Sequence, residues 1–131
     1  MEANVFLVAS HDGSVVGFAD FRSLSSTEAE LAAIYVLPEM QGRGIGAHFL
    51  QAGISEFPLS ASVMLRVERS NTRARRFYEA HGFRRAGDHA EVFCEHVVHE
   101  VEMILHLPDS NPRILPSKVE SGESNNQVTA R

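Results

Sequence analysis

Two runs near the amino terminus, Val5 to Ser10 and Ser14 to Arg22, read as strands joined by His11-Asp12-Gly13, a sequence with hairpin turn chemistry. The second run sets Val16, Phe18 and Asp20 against Val15, Gly17, Ala19 and Phe21, the alternation of a sheet with unequal faces. After a polar loop, Ser23 to Thr27, an apolar, β-branched and aromatic strand opens at Glu30 and stops at Pro38, which has no N–H for a ladder. The period then changes. Phe49, Leu50, Ile54 and Phe57 fall on one face of a helix expected from about Arg43 to Phe57 and ended by Pro58. Ser62 to Arg69 is the next strand, parallel to the central one across a right-handed crossover. Asn71 or Thr72 caps a helix running to His81, Gly82 ends it, and two more strands lie within Arg84 to Phe93 and His99 to Leu107. These elements predict an α/β (α+β mixed) domain over residues 1–107, with a mixed, mainly antiparallel central sheet and flanking helices. From 108 to 131 three prolines stand among Ser, Asn, Gln and Glu, a composition expected of a disordered tail.

The join between the central strand and the first helix carries candidate chemistry. Gly42, Gly44 and Gly46 alternate there, so the chain runs strand, glycine loop, helix. Glycines let a ligand approach the backbone, and the first turn of a helix offers unpaired N–H groups at the positive end of its dipole, which makes an anion site. A phosphate-bearing cofactor is the expected occupant. A Walker loop is excluded, because Ala47 and His48 follow Gly46 where Lys and Ser or Thr are needed. A dinucleotide fingerprint is a closer rival: Gly42, Gly44 and Ala47 fit G-x-G-x-x-A, and Glu68 lies 21 residues beyond Ala47. Against it, Pro38 to Gln41 separate the strand from the first glycine, and too little chain follows for a second nucleotide-binding half.

Totals narrow the class. With 131 residues, 44% hydrophobic and 22% charged, the chain suits one domain with a single core. Twelve basic against 17 acidic residues leave a net charge of −5, so neither nucleic acid nor an anionic membrane is an expected partner. Seven of the 12 basic residues lie between Arg66 and Arg85, either a face that meets phosphates or a solvated helix surface. Cys94 is the only cysteine, which excludes an internal disulfide, and no run has spanning length; with no basic segment at the start, a cytoplasmic setting is expected.

Gln41-Gly42-Arg43-Gly44-Ile45-Gly46 resembles the Q/R-x-x-G-x-G/A loop of the GNAT acyltransferases, the N-acetyltransferase superfamily that binds acetyl-coenzyme A. Tyr35-Val-Leu-Pro-Glu39 resembles that family's strand end, and Ser70-Asn71-Thr72 with Phe77-Tyr78-Glu79-Ala80-His81-Gly82-Phe83 resembles its second signature at the expected distance. The resemblance runs from about Val5 to Leu107. It implies an acetyl-CoA-dependent N-acetyltransferase that transfers directly to a primary amine of an unknown small molecule or peptide; the alternative is a non-catalytic coenzyme A-binding or regulatory module. The start of the chain resembles the family's second strand, so the usual first strand and helices that wall the acceptor are not recognisable. The apolar edge this leaves on Val5 to Ser10 predicts a homodimer or an amino-terminal segment missing from this chain.

By resemblance, the N–H groups from Gly42 to Ala47, with Gln41, Arg43 and Ile45 in the motif, bind the pyrophosphate, while Ile34 and Val36 pair with the pantetheine arm. Val36 would also polarise the thioester carbonyl through its N–H; as core residues these two would look the same. Asn71 and Tyr78, seven apart, share a helix face, and the family's tyrosine protonates the sulfur while its asparagine bonds pantetheine; the other readings are a helix cap and a core-edge ring. Glu30 matches the place where some GNAT enzymes hold a general base, or it is a strand-end carboxylate in solvent. How much a base matters depends on the acceptor, since neutralising an α-amine at pH 7 costs about 1 kcal/mol and a lysine about 4 to 5. Cys94, His96 and His99 invite a metal reading, yet residue 99 faces away from 94 and 96 in a strand and no zinc spacing fits, so no metal is expected.

Overall fold

The computed structural model describes residues 4–108 and, in backbone, 127–130. Three antiparallel strands come first: β1 (Asn4–His11), β2 (Ser14–Ser23) and β3 (Glu28–Val36). A single 3-10 turn at Pro38–Met40 leads to α1 (Ile45–Ser55), and β4 (Ser62–Glu68), α2 (Thr72–Ala80), β5 (Arg84–Phe93) and β6 (His96–His106) follow. A last short strand, β7, spans Gln127–Ala130. They form one seven-stranded sheet in the order β5-β6-β4-β3-β2-β1-β7. Only β3 and β4 run parallel, as the crossover through α1 requires.

The first hairpin turns on Asp12 and Gly13, both at positive φ, the conformation that right-twisted strands favour in a two-residue turn. Leu7, Ala19, Phe21, Leu31, Leu65, Val101 and Met103 point to one face of the sheet and are buried there with Phe49 and Leu50 of α1 and Tyr78 of α2. Burial of each large apolar side chain contributes roughly 1.5–3 kcal/mol. On the opposite face the rings of Phe6, Phe18 and Tyr35 form a row across β1, β2 and β3, with centroids 5.6 and 6.1 Å apart. Phe6 and Tyr35 are exposed.

α1 approaches the sheet closely because Gly53 has no side chain: a Cβ there would overlap the ring edge of Phe21, which is fully buried. Gly53→Ala is therefore expected to cost about 2–3 kcal/mol by overpacking, read from the midpoint of urea unfolding.

The sheet edge differs from expectation. β1, read as an edge awaiting a second copy or an amino-terminal segment, pairs instead with β7 from the carboxy-terminal end of its own chain, Leu7 opposite Ala130 and Ser10 opposite Gln127. The disordered tail expected from 108 onward is corrected at those four residues; residues 109–126 and 131 lie outside the described residues.

Candidate active site

β3 and β4 pair only from Glu28 to Glu30, opposite Ser62 to Met64, and then separate. On its other side β3 stays bonded to β2, with a bulge near Asp20 and Phe21, up to the bond from the Leu37 N–H to the Val16 carbonyl at 2.9 Å. N–H groups alternate along a strand, so that of Val36 points away from β2, to the side β4 has left. The Val36 carbonyl accepts from Gln41 Nε2 at 3.1 Å, which ties the glycine loop to the strand end.

Gly42 and Gly44 lie at φ +82° and +88°, a conformation that other residues adopt only with strain. Gly44 is the N-cap of α1, and the first intrahelical bond runs from the His48 N–H to the Gly44 carbonyl. The N–H groups of Ile45, Gly46 and Ala47 thus have no intrahelical acceptor and face outward with the helix dipole behind them. Gly46 has a different role. A Cβ on it would stand 3.0 Å from the Phe77 ring, so its smallness lets α2 close on the start of α1.

These groups line one cleft of about 540 Å³, open at its mouth. Ile34, Tyr35 and Val36 form the strand wall, Gln41 to Ala47 without Arg43 the loop and helix start, and Asn71, Arg73, Ala74, Phe77 and His81 the α2 wall. An apolar channel that ends in free N–H groups fits an extended chain bearing phosphates, the form of the pantetheine arm of coenzyme A. Arg73 adds a cation, so part of the basic cluster does face the cleft, whereas Arg66 and Arg85 pair with Glu102 and Asp88. The sequence pointed to no site role for Met40, or for Phe77 and His81 within the second signature. The His81 ring lies 4.6 Å from that of Phe77, and its Nδ1 is 2.9 Å from the Phe77 carbonyl.

Of the other expected residues, Tyr78, Glu30 and Cys94 sit apart from the cleft wall. Asn71 lines the cleft and also caps α2, its Oδ1 accepting from the Ala74 N–H at 3.1 Å, which is the helix-cap reading of that residue. Tyr78 is buried behind the wall, with its ring edge-on to Phe77 and Phe83. Desolvation pushes its hydroxyl from the ordinary 10 up to about 12. Below pH 10 both folded and unfolded tyrosine are neutral; between about 10 and 12 only the unfolded form loses its proton, so stability falls as pH rises through that window, by up to about 3 kcal/mol. Tyr78→Phe is expected to remove this alkaline loss, measured as the difference in urea unfolding free energy between pH 9 and 11.5.

Glu30 lies where β3 and β4 part, on the face opposite the helices, and accepts from Arg22 Nε at 2.8 Å. That hydrogen bond first, and the carboxylate charge second, raise the Arg22 pKa. Cys94 is exposed at the tip of the β5–β6 hairpin, outside the cleft wall.

The model of the acetyltransferase (GNAT) family matches residues 1–83, and the chain belongs to that family. An uncharacterised N-acetyltransferase of Mycobacterium bovis is 32% identical over 104 residues, which is 77% of this chain and 66% of that protein's length. Among solved structures, the ribosomal-protein-S18-alanine N-acetyltransferase of Escherichia coli superposes with a TM-score of 0.64 at 25% identity, covering 82% of this chain and 75% of that one. A GNAT acetyltransferase of Elizabethkingia anophelis with acetyl-CoA bound superposes at 0.65 with 16% identity, covering 77% and 75%. Among the described residues, no helix is long and apolar enough to cross a membrane.

Proposed function

We propose that this domain is an acetyl-CoA-dependent N-acetyltransferase of the cytoplasm, acting by direct transfer to a primary amine. The observation that supports it most is the meeting, in one cleft, of the unpaired N–H groups of the first turn of α1 with the unpaired side of β3 at Val36. Acetyl-CoA, when bound, supplies an acyl thioester. The N–H groups from Gly42 to Ala47 hold the pyrophosphate, Ile34, Val36 and Asn71 hold the pantetheine arm, and the Val36 N–H polarises the carbonyl. Glu30 takes the amine proton through a water as the nitrogen bonds to the carbonyl carbon. Tyr78, protonated at neutral pH, gives its hydrogen to the sulfur as the carbon–sulfur bond breaks. No metal takes part in this scheme.

The helix side of the gap between β3 and β4 is filled by the cofactor, so the amine enters from the opposite face, past Glu30 and Tyr35. The relatives' whole-protein names support the class of reaction and leave the acceptor to be found; a small molecule and a peptide amine both fit.

A second reading is a module that holds coenzyme A without turnover. Two observations favour it: Tyr78 stands behind the cleft wall, and Glu30 is engaged with Arg22. Calorimetric titration of coenzyme A, followed by thiol release from acetyl-CoA across polyamines, amino acids, aminoglycosides and peptide amino termini, separates the readings. Binding with amine-dependent thiol release supports the enzyme; binding with none in the whole panel supports the module; absence of binding overturns both.

A further inference from the structure

We infer a divalent-cation site on the β5–β6 hairpin, formed by His89, Glu91 and Glu100, separate from the cofactor cleft and independent of the proposed reaction. His89 and Glu100 are direct partners across the two antiparallel strands, so their side chains share a face, and Glu91 is two residues on from His89 on that same face. One ligand atom from each of the three lies within 4.8 Å of the others. His89 Nε2 and Glu91 Oε1 are 3.3 Å apart. Ligands held at 2.0 to 2.1 Å around a tetrahedral ion are about 3.4 Å from one another, so that pair needs little movement.

A second observation points into the same place. Glu100 Oε1 is buried and has no hydrogen-bond partner, the one such side-chain atom among the described residues. A buried carboxylate oxygen left unpaired is costly, and here another carboxylate, Glu91, stands beside it. Across the sheet Glu100 faces Glu68, a further acid, while Arg66 is already paired to Glu102. Among the described residues, no ion pair brings a Lys or Arg to this cluster; the one contact of that kind is His89 with Glu91. One imidazole with two carboxylates is a donor set of borderline character, suited to Zn²⁺ or Mn²⁺. Such an ion would bridge β5 to β6 near the exposed hairpin tip.

The test uses the purified full chain, stripped with chelator, and Zn²⁺ as the probe. Calorimetry is expected to show one ion bound per chain, with Co²⁺ giving the visible absorption of a low-coordinate site. Glu100→Gln and His89→Ala are each expected to weaken binding at least tenfold; Glu91→Gln, at an exposed position, is expected to do so while the fold, checked by circular dichroism, is unchanged. Cys94→Ala should leave binding as it is. Stoichiometric binding that survives all three substitutions, or no binding by the folded wild type, would overturn the site.

Discussion

Gly44→Val is expected to reduce coenzyme A affinity by at least a hundredfold, with the secondary structure retained. At φ +88° a β-branched residue is strained, and relief of that strain rotates the peptide units that hold the N–H groups of the first turn of α1 in place. Nothing lies within 4 Å of a Cβ built at Gly44, so the protein's own packing is not the obstacle and the fold has room for the change. Gly46→Val acts differently. Its Cβ would press on the Phe77 ring at 3.0 Å, pushing α2 from α1 and widening the cleft. Both losses are read by calorimetric titration with coenzyme A, and Gly46→Val is also expected to lower the thermal midpoint. Unchanged affinity in both variants would remove the glycine loop from the cofactor site.

That contrast marks what the sequence could and could not reveal. The glycine spacing marked the turn between β3 and α1, where Gly42 and Gly44 take positive φ, and strand propensity with flanking turn residues located β1 to β4 to within about two residues. Expecting α1 from Arg43 missed the left-handed Gly44, which delays the helix to Ile45. The strand expected from His99 begins at His96, because the hairpin turns on Cys94 and Glu95 at φ +51° and +68°, residues that carry no glycine or asparagine signal. Local pattern also cannot show register. That β3 leaves β4 after three residue pairs, that Glu30 meets Arg22, and that His89 stands opposite Glu100 all depend on partners distant in sequence. β7 is the extreme case, four residues whose pairing is decided by an unfilled edge more than a hundred positions away. Helix spacing placed Asn71 and Tyr78 together, yet packing against Phe83 carries the tyrosine ring behind the wall that Phe77 presents.

Tyr78→Phe therefore asks the most of the proposed mechanism. The phenylalanine keeps the edge-on packing against Phe77 and Phe83 and removes only the hydroxyl. If that hydroxyl supplies the proton to the leaving sulfur, kcat is expected to fall about 10²- to 10⁴-fold with coenzyme A affinity nearly unchanged. The raised pKa sharpens the test. A hydroxyl that titrates near 12 stays protonated through the working range, so the wild-type rate should show no alkaline decline from loss of this acid up to about pH 10. It also makes Tyr78 a weaker acid than a free phenol, which places the larger effect in a hydrogen bond to the developing sulfur charge than in early proton transfer. Glu30→Gln is expected to behave in the opposite sense with pH. Its defect shrinks as pH rises, because the acceptor amine then loses its proton unaided, and it is smaller for an α-amine than for a lysine. Cys94→Ala should turn over normally, since direct transfer never acylates the enzyme. Full activity in Tyr78→Phe would leave that residue a packing role alone, and a folded but inactive Cys94→Ala would replace direct transfer with an acyl-enzyme route.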